Sequence, residues 1–231
     1  MFGLWFVNQN LDMYSVTARL AALVVMILIF LPLHEIIHIK IAKSFCGEHL
    51  RIRDFSFFDF FDPIGAIFML IFQYGWAKRF MYSENLNINK HEIVITYLSG
   101  PLFNFLSAVL FNSIAIFISL FGLDAFSGWI FLFLQCIVEI NITLTTINLL
   151  PVPPFDGFKV VEAFIPVKYL EKYYRNYFLI FIVLSVLLLS GIFEVPLSIL
   201  EQAVFRAVNL LSKIPLMIFR AFLLFKYSMG N

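Results

Sequence analysis

Charged side chains are scarce in this sequence. They make up 13% of its 231 residues, against about 25% in ordinary soluble domains. From Ile93 to Gly122 there is none. A water-soluble fold of this length could not hide the apolar stretches that result, so the composition excludes an ordinary soluble domain and indicates a protein made mostly of membrane segments. The formal net charge is only +1, which gives no electrostatic support for a nucleic-acid partner. Cysteine is almost missing. Cys46 and Cys136 stand far apart, the second in an apolar stretch, so neither a disulfide framework nor a cysteine-based metal site is indicated. The first residues lack the basic run that opens a cleaved signal peptide, so the first span is expected to stay in the mature protein. There is no internal repeat and no low-complexity linker.

What is present is a succession of apolar segments. The first runs over residues 16–39, with Pro32 inside it and a kink expected there. Residues 50–61 alternate polar and apolar in part, as a strand would. Residues 63–77 are apolar but short, reaching barely two thirds of a ~30 Å hydrocarbon core. They read as a re-entrant or short buried segment, with a short true span as the alternative. A long span starts at Ile93, a turn holds a lone Asp124, and another span covers 126–150. A further span is expected over 177–193. The stretch 195–226 carries Arg206, Lys213 and Arg220 at seven-residue spacing, a basic stripe on a helix that fits an interfacial amphipathic element better than a span. Basic residues cluster at 40–53, 78–90 and 159–175, and the positive-inside rule puts these regions in the cytoplasm.

The spans contain a few polar groups that the membrane penalises. His34, Glu35 and His38 form His-Glu-Ile-Ile-His in the first span. An acidic or basic group at mid-bilayer costs roughly 2.5–3.5 kcal/mol on insertion scales and usually marks function. On a helix the pattern puts both histidines on one face, one turn apart, where they can share a Zn²⁺, with the glutamate placed as general base on the attacking water. A catalytic zinc usually takes a third protein ligand. His49 and His91 are possible by type, but Asp156 fits better by topology. It follows the cytoplasmic end of the 126–150 span, at the depth of the two histidines. Pro151, Pro153 and Pro154 forbid a regular helix before it, and unwound chain near membrane depth is tolerated where it is buried or lines a wet cavity. Gly157 permits a close backbone approach beside the carboxylate. Asn141 is expected to make an interhelical hydrogen bond, and Asn148 to serve the site. Glu139 pairs with Arg19 or another cation, or stays protonated. Gly65, Gly75 and Gly100 read as close-packing points.

Four motifs, His34-Glu-Ile-Ile-His38, Asp62-Pro-Ile-Gly65 with Gly75-Trp-Ala-Lys78, Ser99-Gly-Pro-Leu-Phe-Asn104, and Asn148-Leu-Leu-Pro through Asp156-Gly157, occur in this order. The set resembles the site-2 protease family of intramembrane zinc metalloproteases, in its compact bacterial and archaeal branch without a PDZ domain, over about residues 20–165. The resemblance implies one Zn²⁺ on His34, His38 and Asp156, Glu35 as the base, and Asn148 and Asn104 as groups that help to hold substrate or oxyanion. It also implies a membrane-spanning protein as substrate and a prokaryotic cell membrane, with the site toward the cytoplasm.

The expected architecture is an all-α polytopic membrane protein of about 5–6 transmembrane helices with a short strand-like or re-entrant segment after the HExxH helix. It forms a single membrane-embedded domain over 1–231, with a catalytic core at 16–165, a C-terminal span at 177–193 and an amphipathic helix at 195–226. A helical substrate would have to be unwound, and the 50–61 segment could hold it extended by edge pairing. A transporter or ion path is the alternative, but it predicts charges spread along a route across the bilayer, whereas here they gather at one depth. A non-catalytic scaffold of the same fold would not need an intact HEIIH and Asp156.

Overall fold

A computed structural model describes residues 12–46, 59–78, 89–122, 124–153, 155–176 and 194–219, together with 179–180, 182–183, 186–187, 190 and 221. The sequence-predicted segment at 50–61 lies outside them except for its last three residues, and most of the 177–193 span and all of His49 lie outside them too. Among the described residues the regular structure is helical, with no strand. Four helices are long and apolar enough to cross a membrane, which makes this an all-α membrane protein.

Helix α1 covers Met13–Cys46. Asp12 caps it, accepting from the Ser15 amide at 3.0 Å. The helix widens into a π-turn over Met26–Phe30, where the Leu31 amide bonds the Met26 carbonyl. Pro32 explains the site of this turn. Proline has no N–H and its ring crowds the carbonyl four residues back, so the turn before it must loosen. The expected kink is therefore realised as an extra residue in the turn ahead of the proline.

Helix α2, Pro63–Phe72, is only ten residues long. Asp62 caps it, accepting from the amides of Ile64 at 2.8 Å and Gly65 at 3.0 Å, and Pro63 suits the first position. Gln73 ends it in the left-handed region at φ 61°. The chain then returns, and the Lys78 amide donates to the Phe60 carbonyl at 2.8 Å. Residues 60–78 thus form a hairpin that enters and leaves at one end. Two glycines make it possible. A Cβ on Gly65 would lie 2.0 Å from the Trp76 carbonyl oxygen, and one on Gly75 2.2 Å from that of Gly65. The Trp76 indole donates to Asp62 at 3.2 Å, which ties the DPIG and GWAK motifs together.

Helix α3, Lys90–Ser119, and helix α4, Ala125–Asn148, form the centre of the bundle. Asp124 is the N-cap of α4. The Ser127 hydroxyl and amide donate to its carboxyl and hold it below the ordinary carboxylate range. Both halves of α1 pack here, the first on α4 and the second on α3, around Met26, Ile137, Ile140 and Leu144. Two short helices follow, α5 at Asp156–Glu162 and α6 at Val167–Arg175.

Helix α7 covers Glu194–Ser212. With its continuation to Phe219 it is long and apolar enough to cross a membrane, and it packs on α3 and α4. Arg206 and Lys213 do share an exposed face. The opposite face carries Leu197, Glu201, Val208 and Ser212, all buried. Thr143 donates to Glu201 at 2.7 Å, Asn112 to Asn209 at 2.9 Å, and Ser212 to the Val109 carbonyl at 3.1 Å. The helix breaks at Lys213, just before Pro215.

Candidate metal centre

Two elements bring three donor groups to one point. His34 and His38 lie one turn apart on α1, and Asp156 opens α5. They are 6%, 3% and 2% exposed. Asp156 Oδ2 lies 2.9 Å from His34 Nε2 and 3.3 Å from His38 Nε2, and the two Nε2 atoms are 3.2 Å apart. His91, the other described candidate for a third ligand, is exposed and outside this group.

The approach of Asp156 depends on the turn before it. Helix α4 ends at Asn148, and a Cβ on Gly157 would fall 2.5 Å from the Leu149 carbonyl oxygen and 2.6 Å from that of Leu150. Only glycine lets α5 seat against the end of α4 at this distance, and the neighbouring carboxylate is thereby turned onto the histidines.

Helix α3 supports the histidines with residues four apart on one face, Thr96, Gly100 and Asn104. The Thr96 carbonyl oxygen lies 2.6 Å from His38 Nδ1. A carbonyl only accepts, so His38 carries its proton on Nδ1, and Nε2 of the neutral ring presents a lone pair. Ser99 Oγ is 3.3 Å from the same Nδ1 and donates to the same carbonyl at 2.6 Å. Gly100 leaves room, since a Cβ there would lie 2.4 Å from His38 Nε2 and 2.5 Å from His34 Nε2. The Asn104 amide reaches His34 Nδ1 at 3.0 Å.

These donors fit a metal ion. Nitrogen and oxygen ligands at about 2.0–2.2 Å from a tetrahedral zinc stand about 3.3–3.6 Å apart, and the three edges here are 2.9, 3.2 and 3.3 Å. Electron-rich atoms so close repel unless a cation or protons lie among them. Two imidazoles and a carboxylate are borderline donors of the kind zinc takes. His34, His38 and Asp156 are therefore a group able to hold a metal.

The other sequence-predicted residues fall around this point. Glu35 is buried on α1 beside His34. Asn148 closes α4, half-buried, at the start of the turn. Asn141 bonds its own helix, donating to the Ile137 carbonyl at 2.9 Å, and touches the Met26 sulfur of α1 at 3.5 Å. Glu139 pairs with Arg19 at 3.2 Å, and Arg19 also donates to Gln73 at 2.6 Å. Gly65 and Gly75 are close-packing points against backbone, as expected, and Gly100 packs on the rings of His34 and His38. The contact of the Thr96 carbonyl with His38 joins two helices, and spacing within either one carries no signal of it.

The site thus defines a helical membrane protein with a candidate His₂Asp metal centre. Among curated proteins the chain is similar to "Putative zinc metalloprotease YwhC" of Bacillus subtilis (strain 168), at 24% identity over 162 residues, 67% of this chain and 74% of that protein. The match supports the family that the motifs resemble. No family model matches the chain, and no solved structure does.

Proposed function

We propose that this chain is an intramembrane zinc metalloprotease that hydrolyses peptide bonds within or near the spanning segment of membrane proteins. The observation that carries the reading is the convergence of His34, His38 and Asp156, with edges of 2.9–3.3 Å, inside an apolar bundle. The similarity to a protein named as a zinc metalloprotease supports the same chemistry.

Zinc bound by these three residues would supply a Lewis acid for the scissile carbonyl and for the attacking water. Glu35, next to His34 in the chain, takes a proton from that water as its oxygen attacks the carbonyl carbon. It returns the proton to the leaving nitrogen as the C–N bond breaks. Asn148, at the unwound end of α4, offers an amide donor to the oxyanion of the tetrahedral intermediate. His38 is held by the Thr96 carbonyl, so it does not reorient during the reaction.

Helix α1 runs on for about 12 Å beyond His38 to Cys46, through Lys40 and Lys43. This basic end supports a site toward the cytoplasmic face of a prokaryotic cell membrane. An unwound segment of a membrane-spanning protein is the substrate class that suits so apolar a setting.

The test is cleavage in proteoliposomes of single-span reporter proteins tagged at both ends. Wild-type protein should release two tagged fragments cut within the span. A chelator or Glu35→Gln should stop the reaction. Fragments formed equally well by Glu35→Gln would contradict the proposal, and ion flux through the vesicles that Glu35→Gln abolishes would favour a transporter instead.

A further inference from the structure

Asn104 is the polar residue of α3 most completely withdrawn from solvent, at 0% exposure. Its amide lies 3.0 Å from His34 Nδ1, the ring nitrogen that faces away from Asp156. Its Oδ1 atom is buried without a hydrogen-bond partner. In this orientation the NH₂ group meets His34. A half-turn of the amide exchanges oxygen and nitrogen with almost no change of shape, and it puts the orphaned oxygen against Nδ1.

The chemistry of the centre selects that orientation. For His34 to offer the Nε2 lone pair to a metal, its proton must sit on Nδ1, and Nδ1–H then needs an acceptor. His38 has one in the Thr96 carbonyl. On the same face of α3, two turns on, the matching group for His34 is Asn104. Metal-bound histidines regularly donate their second N–H to such an acceptor, which fixes tautomer and ring orientation.

We propose that Asn104 is a positioning residue that accepts the Nδ1–H of His34 and so holds Nε2 toward the metal. This rests on the metal-centre reading above. It assigns Asn104 to the histidine and not to substrate or oxyanion.

The test compares zinc affinity in detergent, by chelator competition, for wild type, Asn104→Leu and Asn104→Asp, with the visible absorption of the cobalt-substituted proteins as the second readout. An ionised aspartate can accept but cannot donate. The aspartate variant should therefore bind zinc nearly as wild type does, with wild-type cobalt bands. The leucine variant should bind about 10–100-fold more weakly, with altered bands. Wild-type zinc affinity in Asn104→Leu overturns the proposal while leaving the metal centre standing. Loss of zinc in Asn104→Asp overturns it as well, because a donor would then be required. If the leucine variant fails to fold, the aspartate variant decides alone. A wild-type protein that binds no zinc removes the metal centre itself.

Discussion

Gly100 lies directly against His38, so close that a Cβ on it would stand 2.4 Å from Nε2. No real contact of that kind survives at this distance. Gly100→Ala should therefore push the imidazoles apart and abolish metal binding. Its effect on the helix alone would be favourable, by up to about 1 kcal/mol, because alanine is the better helix former. The expected outcome is loss of zinc with the fold retained, read by metal content beside circular dichroism. Full zinc occupancy in Gly100→Ala would show that the histidines sit elsewhere.

The 60–78 hairpin should be equally intolerant of volume at its glycines. Gly65→Ala places a methyl group 2.0 Å from the Trp76 carbonyl oxygen. Overpacking of this kind costs about 1–3 kcal/mol. Thermal unfolding in detergent should show a lowered midpoint, and labelling of a cysteine placed at the buried position 69 should rise as α2 detaches. An unchanged midpoint and unchanged labelling would rule out the closed hairpin.

Asp62 does two jobs, capping α2 and bonding the Trp76 indole at 3.2 Å. Asp62→Ala loses both. The cap alone is worth about 0.5–2 kcal/mol. Asp62→Asn keeps the capping acceptor but sets an NH₂ group, which cannot accept, against the Trp76 indole, so it should fall between wild type and Asp62→Ala, and the same thermal midpoints measure the difference.

Arg19 and Glu139 are the charged pair between α1 and α4, at 3.2 Å. Removing either partner leaves the other charge in an apolar bundle, which is costly. Arg19→Ala and Glu139→Ala should each destabilise by about 1–3 kcal/mol, scaled below the 3–5 kcal/mol of fully buried pairs. The double variant should lose clearly less than the sum. Additive losses in a denaturant-based cycle would mean that the pair carries no coupling.

Much of this was legible in the sequence because the membrane makes polar residues conspicuous. His34, Glu35, His38 and Asp156 stood out as groups too expensive to place in apolar chain without a purpose, and Pro151 and Pro153 announced the turn that delivers Asp156. The shortness of 63–77 marked it as a re-entrant or short buried segment, and the chain there folds back on itself. Other features were hidden for physical reasons. The contact of Asn104 with His34 joins two helices 70 residues apart, and spacing within one helix says nothing of it. The packing of α7 was masked by its basic stripe. The opposite face holds Glu201, Asn209 and Ser212, whose partners Thr143, Asn112 and Val109 lie on other helices. The π-turn at Met26–Phe30 follows from Pro32, but its position could not be told from a simple kink.

The central claim is that His34, His38 and Asp156 hold one zinc ion. It is tested most directly by metal analysis of detergent-purified protein, prepared without chelators, beside His38→Ala and Asp156→Ala. The account predicts about one zinc per chain in the wild type, as a three-ligand site requires, and loss in both variants. Zinc retained by Asp156→Ala, or a wild-type protein free of metal, would contradict it.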